Sequence, residues 1–442
     1  MTFTVGLGQL VITFGYDDIL AFMIVGLMVA VSLHLRRNRA FAPSIGTNNL
    51  AAVSVVRDLS DNEPKPLRYG SGKLEGGAWE ATGPGYLPDP DPLVGFDLKS
   101  ASVRDYVYVN KTLRYPYFQT MSHQPMHIND WIEIDNEYVW YLDEKARVIR
   151  EQGKVVIDSL PENDDACTEL LETLADYLPK RFPTLFQSIP VDPAKTPMKP
   201  SGYGKSVGIV NKVTGERFEN VQELKGTDAL LVVSRLVQDD FLMARERDDG
   251  KSYLVGGLIV FPGSYLLSEK INQPLHEIHA PVPNIKKMMM SIERTMARFS
   301  PDRPFERSSW MIVDDRELFW HNIISNTMPE DMHPKDLFLR IDHQTFRKLP
   351  RSKGVVFGVH PVLKKIGDLA DSPLVPALMA KIHTDANDEL MEYKKSEKYC
   401  GRLLPYLREL TEQQVAKGLV EAKDVADVAK FREHIREVDN HN

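Results

Sequence analysis

Residues Ser234–Pro283 read SRLVQDDFLMARERDDGKSYLVGGLIVFPGSYLLSEKINQPLHEIHAPVP. Two apolar runs, Phe241 to Arg245 and Tyr253 to Phe261, flank Asp249-Gly250. An Asp-Gly pair between such runs is a strong hairpin signal. A Phe261-Pro262-Gly263 corner follows, then His276 and His279, then Pro281-Val282-Pro283. His276-Glu277-Ile278-His279 is one residue short of a zinc-protease signature, so the histidines do not stack at i and i+4. Prolines at 274, 281 and 283 predict extended backbone, where residues three apart point to opposite faces. One histidine then faces inward, and its place beside the stiff Pro-Val-Pro unit favours His279. Spacing alone leaves His279 as either a satisfied structural residue or a pocket residue.

Working outward, the β-branched run Leu230 to Leu236 predicts a strand. Ile285, Met288, Met289, Ile292, Met296 and Phe299 recur at helical spacing and predict a core-facing helix over Asn284–Phe299. Ser309–Val313 and Leu318–Trp320 read as a hairpin across Asp314-Asp315. Leu337–Phe346 and Gly354–His360 read as another, around Pro350–Lys353. Upstream, Trp131 to Asp135 alternates like a short strand, Tyr138 to Arg150 is helical, and a helix over Cys167–Tyr177 stops at Leu178-Pro179. His123 and His127 lie four apart, but Pro125 breaks the helix that would align them on a metal. From Pro361 onward the pattern is mostly helical. Antiparallel hairpins with inserted helices indicate an α+β fold.

Composition narrows the function. The 442 residues suffice for a large core, and a net charge of −8 without a basic stripe disfavours nucleic-acid binding. Two cysteines, Cys167 and Cys400, exclude a disulfide framework, a Cys-rich zinc site and an iron–sulfur cluster held by this chain alone. No Cys-x-x-Cys-His run offers covalent haem attachment. Gly70-Ser71-Gly72-Lys73 and Gly204-Lys205-Ser206 both lack the outer residues of a phosphate loop.

Ile19 to Leu35 reads ILAFMIVGLMVAVSLHL. As a helix it spans about 25 Å, enough for a thin bilayer. Asp17 and Asp18 precede it, and Arg36, Arg37 and Arg39 follow. The positive-inside rule then gives a single-pass protein with its main domain in the cytosol, on an endomembrane such as the endoplasmic reticulum. The predicted organisation is an N-terminal segment (1–18), a transmembrane helix (19–35), a Gly/Pro-rich tether and lead-in (36–98), a catalytic domain (99–395) and a helical C-terminal extension (396–442).

Several polar residues interrupt apolar strands: Gln238, Asp239 and Asp240; Arg307 before Trp310; and Arg340, Asp342, Gln344 and Arg347 in LFLRIDHQTFRKLP. A strand with one wet face explains such alternation. Yet Arg340, Asp342 and Gln344 share parity, and a row of cation, anion and amide suits a polar pocket or a carboxylate clamp. These are candidate ligand-binding groups.

VQDDFLMA, the segment Phe261-Pro262 to Lys270, IHAPVP at 278–283, RSSW at 307–310 and LRIDHQTFRKLP at 339–350 occur in an order that resembles the haem-dependent oxidative N-demethylase alpha-subunit-like family, including its membrane-tethered fungal members. The resemblance spans about Tyr115 to Lys394. It implies a PAS-like antiparallel sheet with packed helices, non-covalent b-type haem, and oxygen-dependent removal of a methyl group from a small amine as formaldehyde. It implies that His279 is the proximal iron ligand, with Arg307, Arg347 and Gln238 around the cofactor. It gives catalytic roles to Arg340, Asp342 and Gln344, where Asp342 replaces the family's Glu. The family's Gln-Glu-Asp becomes Gln238-Asp239-Asp240, and the Gly usual before the Trp131 region is missing. No flavin or nicotinamide fingerprint is present, so a separate flavin-type reductase is expected to supply electrons. A haem dehydratase or isomerase and a haem-based sensor are the alternatives on the same fold.

Overall fold

A computed structural model describes residues 3–7, 10–14 and most of 89–428; within the last range 105–108, 110–111, 114, 116, 118–122, 191–205, 264, 320–328 and 330 are left undescribed. The unit Met1–Ala52 holds β1 (Phe3–Leu7) and β2 (Leu10–Phe14), an antiparallel pair. The predicted membrane helix at 19–35 lies outside the described residues, as does the tether from 36 to 88. Among the described residues no helix is long and apolar enough to cross a membrane.

In the second unit, β3 (Gln124–Pro125) precedes α1 (Tyr138–Gln152), β4 (Ile157–Ser159) and α2 (Asp164–Arg181). β5 (Phe186–Pro190), β6 (Ser206–Asn211) and β7 (Glu216–Phe218) form a small antiparallel sheet, followed by α3 (Gly226–Val233). The hairpin of β8 (Asp240–Glu246) and β9 (Ser252–Leu258) leads into a crossover of α4 (Leu267–Lys270), α5 (Leu275–Ile278) and α6 (Ile285–Arg298). β10 (Phe305–Val313), β11 (Phe338–Lys348) and β12 (Val355–Lys365) return as a meander. Helices α7 (Val375–Asp385), α8 (Asp388–Tyr393), α9 (Cys400–Ala416) and α10 (Ala422–Ala426) complete the described chain. The large antiparallel sheet runs β3-β10-β11-β12-β8-β9-β4. The protein is therefore α+β.

The hairpins follow their turn chemistry. Asp249 accepts the Lys251 amide at 3.0 Å, and Gly250 supplies a positive φ of 73°. Outside the histidine-bearing segment, four sequence expectations fail. Residues 230–236 are not a strand: α3 covers 226–233, and Ala229, Leu230, Val232 and Val233 are all buried. A helix buried on every side shows no polar stripe, so its β-branched run mimics a strand. Trp131–Asp135 is likewise not a strand. A short helical turn at Ile128–Asp130, capped by the His127 ring, delivers Trp131 into the core. No hairpin forms across Asp314-Asp315; β10 pairs instead with the whole register from Phe338 to Phe346, and the Asp315 carboxylate takes the Glu317 amide in a turn. Helix α2 runs past Pro179 to Arg181, because the Phe182 amide still closes onto Leu178 O at 2.8 Å.

The large sheet has two unlike faces. On one, register places Asp240, Val359, Gln344 and Arg307 side by side, with Pro361, Asp342 and Ser309 in the next row. This face is partly open. The other is buried twice over. Phe241, Met243 and Val356 pack with α1 and α2, while Trp310, Ile312, Ile341 and Val362 pack with α7 and α9. Leu403, Leu407 and Leu410 of α9 are thus core residues. Replacing Leu407 with Ala should cost about 2–5 kcal/mol by urea unfolding in one cooperative transition. A cost under about 0.5 kcal/mol, the usual range for a surface change, would mean that α9 is not integral to this core.

Candidate functional site

The crossover between β9 and β10 lies over the partly open face, and one peptide fastens it there. The Phe261 amide donates to Asp240 Oδ2 at 2.6 Å, and the Phe261 carbonyl accepts from Arg340 Nη2 at 2.6 Å. Arg340 Nε then donates to Asp342 Oδ1 at 2.9 Å. Gly263, at φ +77°, packs against the guanidinium; a Cβ there would lie 3.5 Å from it. Behind the peptide, Lys145 Nζ is 3.2 Å from Asp240 Oδ1 and also donates to Asp239 O. Burial pushes the Asp240 carboxyl up and the Lys145 amine down, while their mutual attraction opposes both shifts. The polar row of β11 is therefore anchored to the corner that starts the histidine-bearing segment.

That segment is helical where extended backbone was expected. α5 covers Leu275–Ile278, and His279 is its C-terminal cap. The prolines border the turn rather than straighten it, with Pro274 as N-cap and the other two beyond the cap. His279 Nδ1 lies 2.7 Å from Leu275 O. An Nδ1–H committed to a carbonyl leaves Nε2 with its lone pair available to a metal. Burial lowers the His279 pKa, Leu275 O opposes this, and the cationic Arg307 and Lys270 lower it further, so the ring is neutral at neutral pH. The His276 side chain is more exposed and sits 4.0 Å from Glu277.

Arg307 of β10 stands in register with Gln344, and its charge acts on His279. Gln344 Nε2 donates to Ser309 Oγ at 3.2 Å, which orients its amide. Arg340 is buried, whereas Asp342 and Gln344 are half-buried on the open face. Two of the predicted site residues lie elsewhere. Arg347 is on the opposite face, its guanidinium 3.9 Å from the Trp131 ring centre. Its odd offset from Arg340 puts it there, because side chains alternate along a strand. Gln238 precedes β8 and is locked to Asp135, accepting its amide at 3.1 Å and donating to its carboxylate at 3.2 Å. The His123 ring packs tilted against Phe305 with centroids 4.2 Å apart, and His127 Nδ1 accepts the Asn129 amide in a turn. Among the described residues no group of three His, Cys, Asp or Glu is arranged to hold a metal ion.

Sequence reasoning missed Tyr265, Tyr393 and Lys394, which approach the same row. Asp342 acts on the ionisation of all three, and burial raises both phenols. Lys394 lies in MEYKKSEK, which looks like a solvated charge run and carries no periodic signal.

A haem asks for a neutral imidazole, cations near its carboxylates and apolar side chains against its plane. His279 supplies the neutral imidazole, and Arg307 and Lys270 are the cations that act on it. The family model for haem-dependent oxidative N-demethylase, alpha subunit-like, matches residues 122–404. The chain belongs to this family. Haem dependence, an oxidative reaction, oxygen and a small-molecule substrate follow from that membership. The match encloses the whole crossover, the β10–β12 meander and the start of α9.

Replacing Arg340 with Met frees the Phe261 carbonyl and the Asp342 carboxylate together. The expected loss in chemical denaturation is about 2–4 kcal/mol. A loss below about 1 kcal/mol, within the worth of a single ordinary hydrogen bond, would contradict an anchor through Arg340.

Proposed function

We propose that this chain is a haem b oxidoreductase that removes an N-methyl group from a small amine, taking electrons from a separate flavin-type reductase. The observation that carries the reading is His279: neutral, held through Nδ1 by Leu275 O, and under the charge of Arg307, which stands in register with Gln344 on the face that bears Asp342. The sheet order supports a PAS-like core. Numbered along the chain, β8, β9, β10, β11 and β12 lie side by side as 2-1-5-4-3, with the helical crossover between the second and third strands.

Bound haem would supply oxygen activation. The chain's own residues do the rest. His279 Nε2 would hold the iron, and Leu275 O fixes the ring's tautomer and orientation. Arg307 and Lys270 would neutralise the haem carboxylates. Asp342, aimed by Arg340, receives the cationic amine, and Gln344 offers an oriented amide. One methyl leaves as formaldehyde for each dioxygen, two electrons and two protons consumed, and the second oxygen atom leaves as water. Asp342 is one methylene shorter than the Glu of the family pattern, which leaves more room above the strand and favours a bulkier amine. Haem attachment is non-covalent, since the two cysteines form no attachment motif.

The apolar run 19–35 and the arginines after it favour a single-pass tether with the catalytic domain in the cytosol, as in membrane-tethered fungal-type members. Domain limits of 99–395 for the catalytic part and 396–442 for the extension remain the proposed division, with α9 packed on the catalytic core.

The full chain, saturated with haem, should give a Soret band that shifts on reduction with carbon monoxide. His279→Ala should lose or loosen the haem, while His276→Ala should keep it; the reverse would assign the iron to His276. With a reductase present, N-methylated amines should yield formaldehyde. Haem binding without formaldehyde from any amine would overturn the demethylase reading in favour of a non-redox enzyme or sensor. In fractionated host cells the chain should stay with membranes until residues 19–35 are deleted.

A further inference from the structure

Helix α6 carries two unlike faces. Met289, Ile292 and Met296 line a cleft against Leu275, His276 and the β8–β9 turn, and Met296 and Phe299 pack with Ala244 and Val355. Helical spacing puts Lys286, Lys287, Met290, Arg294 and Arg298 together on the other side. All five are exposed, Met290 at 63%. Glu293, the only carboxylate of the helix, borders the cleft instead. The stripe is therefore cationic around one apolar side chain, in a chain whose net charge is −8. Among the described residues none of its cations forms an ion pair, whereas Arg147, Lys180, Arg217 and Lys381 elsewhere on the surface do. Local stability does not ask for this pattern. Lys286 and Lys287 fill the first turn of α6, where the free amides of a helix favour anions, and no acidic residue stands there. Asn284, at φ 58°, gives no side-chain cap; its amide donates to Glu389 at 3.4 Å. Such departures from local consistency gather at functional sites.

We infer that the cationic stripe of α6 docks an acidic, flavin-bearing electron carrier, so that electrons enter beside the His279 turn. The inference rests on the haem and reductase reading above and adds the place of contact. Unpaired cations on one face call for an anionic partner and steer it electrostatically. A protein fits better than a lipid surface. The apolar side of α6 is turned to the cleft, which leaves one methionine to insert where a membrane-surface helix needs a whole apolar face. Met and Arg are also residues that protein interfaces favour. The position suits electron entry. The Val282 amide donates to His279 O at 2.9 Å, and the Ile285 amide donates to Val282 O at 3.2 Å, so the helix begins directly on the histidine-bearing turn. Each contact moves one electron: the reduced flavin loses it, ferric haem iron gains it to become ferrous, and no bond forms or breaks. Two such transfers supply the two electrons of one turnover.

The probe is a photoreduced flavodoxin, an acidic protein that carries one flavin. Mixed without oxygen with the haem-loaded full chain in neutral detergent, it should reduce the haem, and stopped-flow absorbance gives the second-order rate constant. That constant should fall about tenfold between roughly 20 mM and 300 mM salt, as for electrostatically steered association. Lys286→Glu, Lys287→Glu and Arg294→Glu together should lower the low-salt value about tenfold or more and flatten its salt dependence. Lys286→Arg, Lys287→Arg and Arg294→Lys together keep the charge and should keep the rate. Lys99→Glu, Lys225→Glu and Lys417→Glu make the same change in net charge at exposed positions outside α6 and should leave the rate near that of the parent. Photoreduced riboflavin, too small to span the stripe, should reduce the haem of every variant alike, which shows the fold and the cofactor intact. A flavodoxin rate indifferent to the α6 reversals, or lowered equally by both sets of reversals, overturns the inference. Reduction by riboflavin but not by flavodoxin overturns it as well. So does an effect of the α6 reversals confined to binding of phosphatidylserine vesicles, which would assign the stripe to a membrane. A parent without a Soret band strikes the haem reading itself, and the docking inference with it.

Discussion

One peptide group, Phe261, joins the parts of this protein that matter for its chemistry. Its amide is held by Asp240 and its carbonyl by Arg340, at 2.6 Å each. Both side chains are buried, so both bonds form in a medium where an unpaired partner is costly. Lys145 keeps Asp240 from being a lone buried charge. The arrangement fixes where the crossover leaves the sheet. It also spends the Arg340 fork on the protein itself, so Arg340 positions Asp342 and does not reach toward a ligand. The members of the row that remain half-buried are Asp342 and Gln344, oriented by Arg340 and Ser309.

The division of charge between the sheet's faces follows from strand alternation. Arg340 and Arg347 sit on one strand seven residues apart, yet on opposite sides. Arg340 organises the site, while the Arg347 guanidinium lies over the Trp131 ring inside the core. His343 and Glu306 likewise pair at 2.7 Å on the buried face, away from His279. Polar residues in an apolar strand thus mark two different things here: a pocket on one face and satisfied core pairs on the other.

Much of this was legible in the sequence. The β8–β9 and β11–β12 hairpins follow from Asp249-Gly250 and from the breaker cluster at Pro350–Lys353, because turn chemistry acts locally. The parity of Arg340, Asp342 and Gln344 needs only the two-residue period of a strand. What failed depended on burial from several sides. The run at 230–236 looks like a strand until α2 and the sheet enclose it as helix α3. The sequence points to His279 through extended backbone; the turn of α5 instead fixes its ring through a bond to Leu275 O that no sequence pattern encodes. Lys394 left no trace at all, since a lysine in a charged run looks solvated until the fold covers it with Trp310, Tyr117 and Tyr393.

The central claim is that His279 carries the iron, over the face of Arg340, Asp342 and Gln344. A crystal structure of the haem-loaded full chain tests it most directly. The account requires iron bonded to His279 Nε2, with Nδ1 still on Leu275 O and Asp342 and Gln344 on the side where oxygen and amine meet. Iron bonded to His276, or haem seated against Arg347 and Trp131 on the opposite face, would contradict it.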